Sequence, residues 1–400
     1  KSLGRTAAVL LSLTAACRDV SSNSSGTPSD SFDRSALLRS YTNQVVMPAL
    51  RDFETDAGAL ASATAALAEA VAAGSADDGD WMLARDAWRD AMGAWQMLEV
   101  LQVGPAGAAD MRMGGRGLRN EIYSWPTVNA CRVDQETASG DFETADFFLR
   151  EVVSTRGLDA LEYLLFDRDT NNACAAAVDI NANGTWAALV ANGEVLGRRT
   201  RYAELAAAEI DRRAVELLEA WDESGGDFAG QLIQAGADGS IYPSAAEAID
   251  EVFAALFYIE LQVKDRKLAP PAGLDPECAA ATCPELQESR WADASKEHIL
   301  ANLTAAQQVF FGGTSADVGF DDFLHAVGAS DLAVEMTTEL AEAIAAVEAI
   351  PGTLESALMN DPSSVRAAHT ALKTFTDDLK SRFMTVLSLR IGDEGAGDND

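Results

Sequence analysis

Histidine is nearly absent from this chain: His298, His325 and His369 are the only three in 400 residues. None stands in an HExxH or paired-histidine spacing, which excludes a zincin-type zinc site. A GxSxG elbow, a GxxxxGK[ST] phosphate loop and a GxGxxG fingerprint are missing too. Serine-hydrolase, P-loop and dinucleotide chemistry therefore lack their usual scaffolds. β-branched runs of alternating polarity are scarce and proline is limited to 11, so the chain reads as helix, not sheet. Basic residues are few as well, 30 Lys plus Arg against 63 Asp plus Glu, and only six of the 30 are lysine. The net charge of −33 repels phosphate backbones and anionic headgroups. That argues against nucleic-acid partners and against a membrane contact made through a basic patch.

Cysteine is sparse and its placement informative. Lys1 and Arg5 precede a short apolar run, AAVLLSL, and then TAAC with Cys17. A basic start, a brief apolar core and small residues before a cysteine predict a secretory signal over 1–17. The pattern resembles a lipoprotein signal, with Cys17 as the lipidated residue and a lipid anchor as the only membrane attachment. Arg18, not Asp, follows it and points to outer-membrane sorting. Residues 18–34, with SSNSSGTPSDS, read as a flexible tether. Four cysteines remain, Cys131, Cys174, Cys278 and Cys283. An even number in an exported chain predicts two disulfides, for which three pairings exist. Cys278 and Cys283 flank AAAT and can close a small loop, leaving Cys131 with Cys174; no zinc-type CxxC spacing occurs.

What is present in quantity is apolar residues at helical spacing. SALLRSYTNQVVMPALRDF carries Leu37, Leu38, Tyr41, Val45, Leu50 and Phe53 on one side, with Pro48 as a kink. WMLARDAWRDAMGAWQMLEVLQVGP reads as a second strong helix ended by Gly104-Pro105. Trp81, Trp88 and Trp95 recur every seven residues on it, a stripe expected in a helix–helix contact. A helix is expected from Glu143 to Ser154, followed by long helices to the end. AALFYIEL faintly echoes DALEYLLF, which suggests a duplicated half. The expected fold is all-α: two packed helical bundles, over 35–225 and 226–391, with a cleft between them, then an acidic tail over 392–400.

The chemistry left is that of carboxylates. In RGLDALEYLLF, Arg156 to Phe166, Asp159 and Glu162 sit three residues apart on one helix face. Such a pair can ligate a hard cation, Ca²⁺, Mg²⁺, Mn²⁺ or Fe³⁺, in preference to zinc. Glu99, ending an apolar face beside Trp95 and Leu98, is a candidate third ligand. The plainer reading gives Asp159 to the helix start, where a carboxylate offsets the helix dipole.

Taken in order, ARDAWRDAMGAWQMLEVLQVGP, EIYSWP, RGLDALEYLLF, FYIELQVKDRKLAPPAG and Glu288-Ser289 with ANL at 301–303 resemble the imelysin family, also called peptidase family M75. The resemblance runs from about Ser35 to the C-terminus. It implies two helical bundles with a cleft, in an exported, often lipid-anchored bacterial protein of metal uptake, iron above all. The family signature GxHxxE is met by Gly157 and Glu162, with Asp159 where the histidine belongs. The resemblance thus carries Glu162 over as a site residue and weakens an M75-type metallopeptidase, since Asp offers no neutral imidazole to zinc. Three functions are expected in turn: a metal or metal-chelate binding protein partnered with envelope uptake components, a peptidase, or a partner-binding lipoprotein whose site has decayed.

Overall fold

The computed structural model describes residues 31–110 and 112–390. The expected signal with Cys17, most of the tether and the acidic tail lie outside them. The fold is all-helical, with no strand among the described residues, and no described helix is long and apolar enough to cross a membrane. Two sets of helices share one continuous hydrophobic core that runs from Leu37 to Leu389.

The first set begins with α1, which runs as Arg34–Ser40, a π-helical stretch Tyr41–Val46, and Met47–Ala72. Pro48 lies just past the wide turn. Its missing N–H and its ring are accommodated by changing the helical register instead of by a break. Helix α2 (Asp78–Glu99) starts with reciprocal capping: Asp77 accepts from the Gly79 and Asp80 N–H groups, and Asp80 accepts from the Asp77 N–H. Its stripe of Trp81, Trp88 and Trp95 is buried throughout, as helix contact, not as a ligand surface. Short α3 (Leu118–Ile122), α4 (Ala130–Ser139) and α5 (Gly157–Phe166) lead to α6 (Val195–Trp221), which packs along α1 and against α5.

The second set holds α7 (Ala245–Leu256), continued by a π-helical Ile259–Leu268, then α8 (Ser295–Phe311), α9 (Ser330–Glu348) and α10 (Pro362–Asp378). The two sets meet where α8 packs on α2 and where α7 packs on the first segment of α1.

The helix expected over 143–154 does not form. One helical turn, Phe147–Arg150, stands between 3-10 turns at Asp141–Glu143 and Val153–Thr155. Here the Thr144 and Thr155 hydroxyls donate to the Asp141 and Val152 carbonyls, offering the backbone a turn in place of helix. Both expected disulfides are formed, Cys131–Cys174 and Cys278–Cys283.

Candidate functional site

Helix α5 opens on a residue that only glycine satisfies. Gly157 has φ +80°, and a Cβ there would lie 2.7 Å from the Ile122 carbonyl oxygen. The bare Cα lets the first turn of α5 press on the backbone of Ile122 and Tyr123. That approach delivers the next two N–H groups, of Ser124 and Trp125, to the Asp159 Oδ2 at 2.7 and 2.9 Å, with the Ser124 hydroxyl at 3.2 Å. Gly157→Ala should therefore destabilise the protein by about 1–3 kcal/mol. It should also redshift tryptophan emission as the Trp125 loop leaves Asp159, to be checked by urea unfolding followed by fluorescence.

One turn later Glu162 does the same for a second, distant loop. Its Oε1 accepts from the Ser289 hydroxyl at 3.0 Å and from the Trp291 and Ala292 N–H groups at 2.9 and 2.8 Å. Both carboxylates are 1% exposed. Burial pushes the Asp159 carboxyl up to about 7, with the Glu288 charge adding to it against the two N–H groups. Burial likewise carries Glu162 up to about 8, opposed by the N–H of Ala292 and helped by the charge of Asp159. The i, i+3 spacing thus brings the pair to one face, and that face clamps two loops.

Glu99 is occupied elsewhere. It is fully buried, and its oxygens accept from Trp95 Nε1 at 2.7 Å, Gln102 Nε2 at 2.7 Å and Arg119 Nε at 3.1 Å. Among the described residues the carboxylates that converge as a possible metal triad are Glu335, Glu339 and Asp378, on α9 and α10. Asp159, Glu162 and Glu99 do not form such a converging group.

Beside the clamp lies a polar cluster that sequence reasoning missed. Lys267, fully buried, donates to Gln96 Oε1 at 2.6 Å and Asn302 Oδ1 at 2.8 Å and stands 3.0 Å from Glu288 Oε2. Glu288 Oε1 accepts from Gln96 Nε2 at 2.8 Å and from the Tyr123 hydroxyl, with His298 Nδ1 at 3.5 Å. Burial alone raises the Glu288 carboxyl, but Lys267, then His298 and the Tyr123 hydroxyl, hold it well below the usual carboxylate range. A signal existed: Lys264 and Lys267 interrupt the apolar rhythm of FYIELQVKDRKL in a chain with almost no lysine.

Glu288 also lines a cavity of about 420 Å³. Trp125 and Trp291, one from each clamped loop, line it with Arg266, Arg290 and Glu277. Arg290 lies 4.4 Å over the Trp291 ring, and Lys267 lies 5.7 Å from the Trp125 ring. The Cys278–Cys283 bridge ties the chain just before this wall, and the Cys283 N–H donates to the Pro271 carbonyl.

Residues 46–382 match the imelysin family, peptidase M75. The chain belongs to that family. Two crystal structures share its fold. One is of a Parabacteroides distasonis protein provisionally named an iron-regulated protein A precursor. It has TM-score 0.66 and 19% identity, over 90% of this chain and 97% of that one. The other is an imelysin-like protein from Psychrobacter arcticum, TM-score 0.59 and 19% identity, over 91% and 99%. No curated protein matches the sequence. The chemistry of Asp159 suits its place in this imelysin: one carboxylate oxygen accepts several N–H groups, whereas a neutral imidazole has one acceptor nitrogen.

Proposed function

We propose that this imelysin is an exported binding protein of metal uptake that takes its metal, iron first, as a small chelate in the cavity beside Glu288. The observation that carries the reading is the clamp. Asp159 and Glu162 each use one oxygen, Oδ2 and Oε1, to fix the two loops whose tryptophans line that cavity. A space of about 420 Å³ far exceeds one ion and suits a small organic ligand. Aromatic rings, two arginines and the carboxylates of Glu277, Glu285 and Glu288 offer stacking and charge to such a complex. A structural neighbour from Parabacteroides distasonis carries iron regulation in its name, which supports iron as the first metal to test. Export is supported by the sequence signal before Ser35, and anchoring at the outer membrane through Cys17 belongs to the same proposal.

Peptidase chemistry is less favoured: a metal-activated water needs carboxylate oxygens as ligands or base, and one oxygen of each motif carboxylate, Asp159 Oδ2 and Glu162 Oε1, is already taken by loop N–H groups. Asp159 and Glu162 are positioning residues in this scheme. The test is fluorescence and calorimetric titration with ferric citrate, gallium citrate and uncomplexed Mn²⁺, in ~150 mM salt to screen loose surface binding. One saturable site for the citrates, weakened at least tenfold in both Trp291→Ala and Glu162→Ala, is expected. Equal weak heats in all three proteins would sink the proposal. Tight Mn²⁺ binding lost only in Glu162→Ala would return the site to a bare ion.

A further inference from the structure

A second cavity, of about 430 Å³, shares Pro126 and Arg266 with the first. Arg112, Arg119 and Arg266 line it, joined by the amides of Gln102 and Asn120, and no aspartate or glutamate does. In a chain with 63 acidic residues against 30 basic ones, a concave surface lined by cations alone runs against the composition. We infer that this cavity is a binding site for a small multivalent oxyanion, a polycarboxylate or phosphate.

The three arginines differ in how they are held. Arg119 is set in place: Nε donates to Glu99 Oε1 at 3.1 Å, one terminal nitrogen to Asn120 Oδ1 at 3.2 Å, the other to the Trp125 carbonyl at 2.8 Å. Three of a guanidinium's five N–H groups are thereby used, and its plane is fixed for the remaining two. Its stem is mostly buried, with the side chain 18% exposed. Glu99, behind it and fully buried, neutralises part of the charge from the core side without lining the cavity. Arg266 is the contrasting case. It is exposed, lines both cavities, and makes no ion pair with any described residue, although acids outnumber bases two to one. An unpaired guanidinium lining the same cavity as a preset one, with side-chain amides in the same lining, offers the forked donors that carboxylate and phosphate oxygens accept. The overall negative field opposes anion approach, so any affinity must come from these local contacts.

The site does not depend on a metal. The metal-free protein would be titrated calorimetrically with citrate and with inorganic phosphate in ~150 mM chloride, which removes most long-range charge effects. Saturable binding of either anion at one site, weakened at least tenfold by Arg266→Gln, is the expected result. Whichever anion saturates identifies the class. Arg116→Gln removes the same charge from an exposed position that lines neither cavity, and it should leave the affinity unchanged. No saturable binding of either anion, or an equal loss in both variants, would overturn the assignment. Trp291→Ala, which alters only the first cavity, should leave free-anion binding in place; its loss there would place the anion in the first cavity and overturn the assignment.

Discussion

Lys267→Met should destabilise this protein by about 3–5 kcal/mol, because it leaves the Glu288 carboxylate buried without its ammonium partner. The loss is larger than for an exposed ion pair, since Lys267 is fully buried and Glu288 side-chain exposure is 1%. Methionine keeps much of the stem packing between the Trp125 and Tyr258 rings, so the effect isolates charge instead of volume. Adding Glu288→Gln should return most of the lost stability, because an amide needs no cation and still accepts from Gln96 and Tyr123. The paired variants, unfolded in urea, give the coupling directly. If the double variant is no more stable than Lys267→Met alone, the Lys267–Glu288 pair is not what holds the cluster.

Stability should also fall as pH rises from about 5 to about 8.5. Asp159 and Glu162 have folded-state pKa values near 7 and 8, above the ~4 of free carboxyls. The folded chain therefore keeps protons that the unfolded chain releases. Their stabilisation is complete below about pH 4 and is lost as pH rises through 7 and 8. Glu288 has the opposite sign: its carboxyl is held low, so its contribution is present above about pH 4.5 and lost on acidification. The two trends together place the maximum near pH 5. Each pKa unit corresponds to about 1.4 kcal/mol, so the alkaline decline should be plain in melting temperatures. Glu162→Gln, which keeps an acceptor oxygen for the 289–292 loop, should flatten that decline above pH 6. An unchanged slope in the variant would assign the pH dependence to other groups.

The helical fold was legible because apolar periodicity is a local property, readable from Leu37 to Phe53 or from Trp81 to Trp95. The break in 143–154 was not, since threonine hydroxyls closing short turns leave the apolar spacing helical. For the site, spacing placed Asp159 and Glu162 on one face and Gly157 at its start, but not the groups they meet. Those are backbone N–H groups of Ser124, Trp125, Trp291 and Ala292, which every residue but proline possesses and no pattern announces. Glu99 read as a candidate ligand because its partner Arg119 lies 20 residues on, on the short α3, where no spacing links the two. Lys267, Glu288 and His298 come together through the packing of the π-helical 259–268 stretch against α8 and the loop before it, a contact no local pattern shows.

Because Asp159 and Glu162 grip each loop by its own backbone, the two tryptophans are indexed to a single rigid rod, and not to each other. Chain lengths between Pro126 and Arg156, or between Pro270 and Pro284, can then drift over evolution while the two rings keep their spacing. A lineage built this way can exchange the intervening walls by insertion and deletion without redesigning the grip.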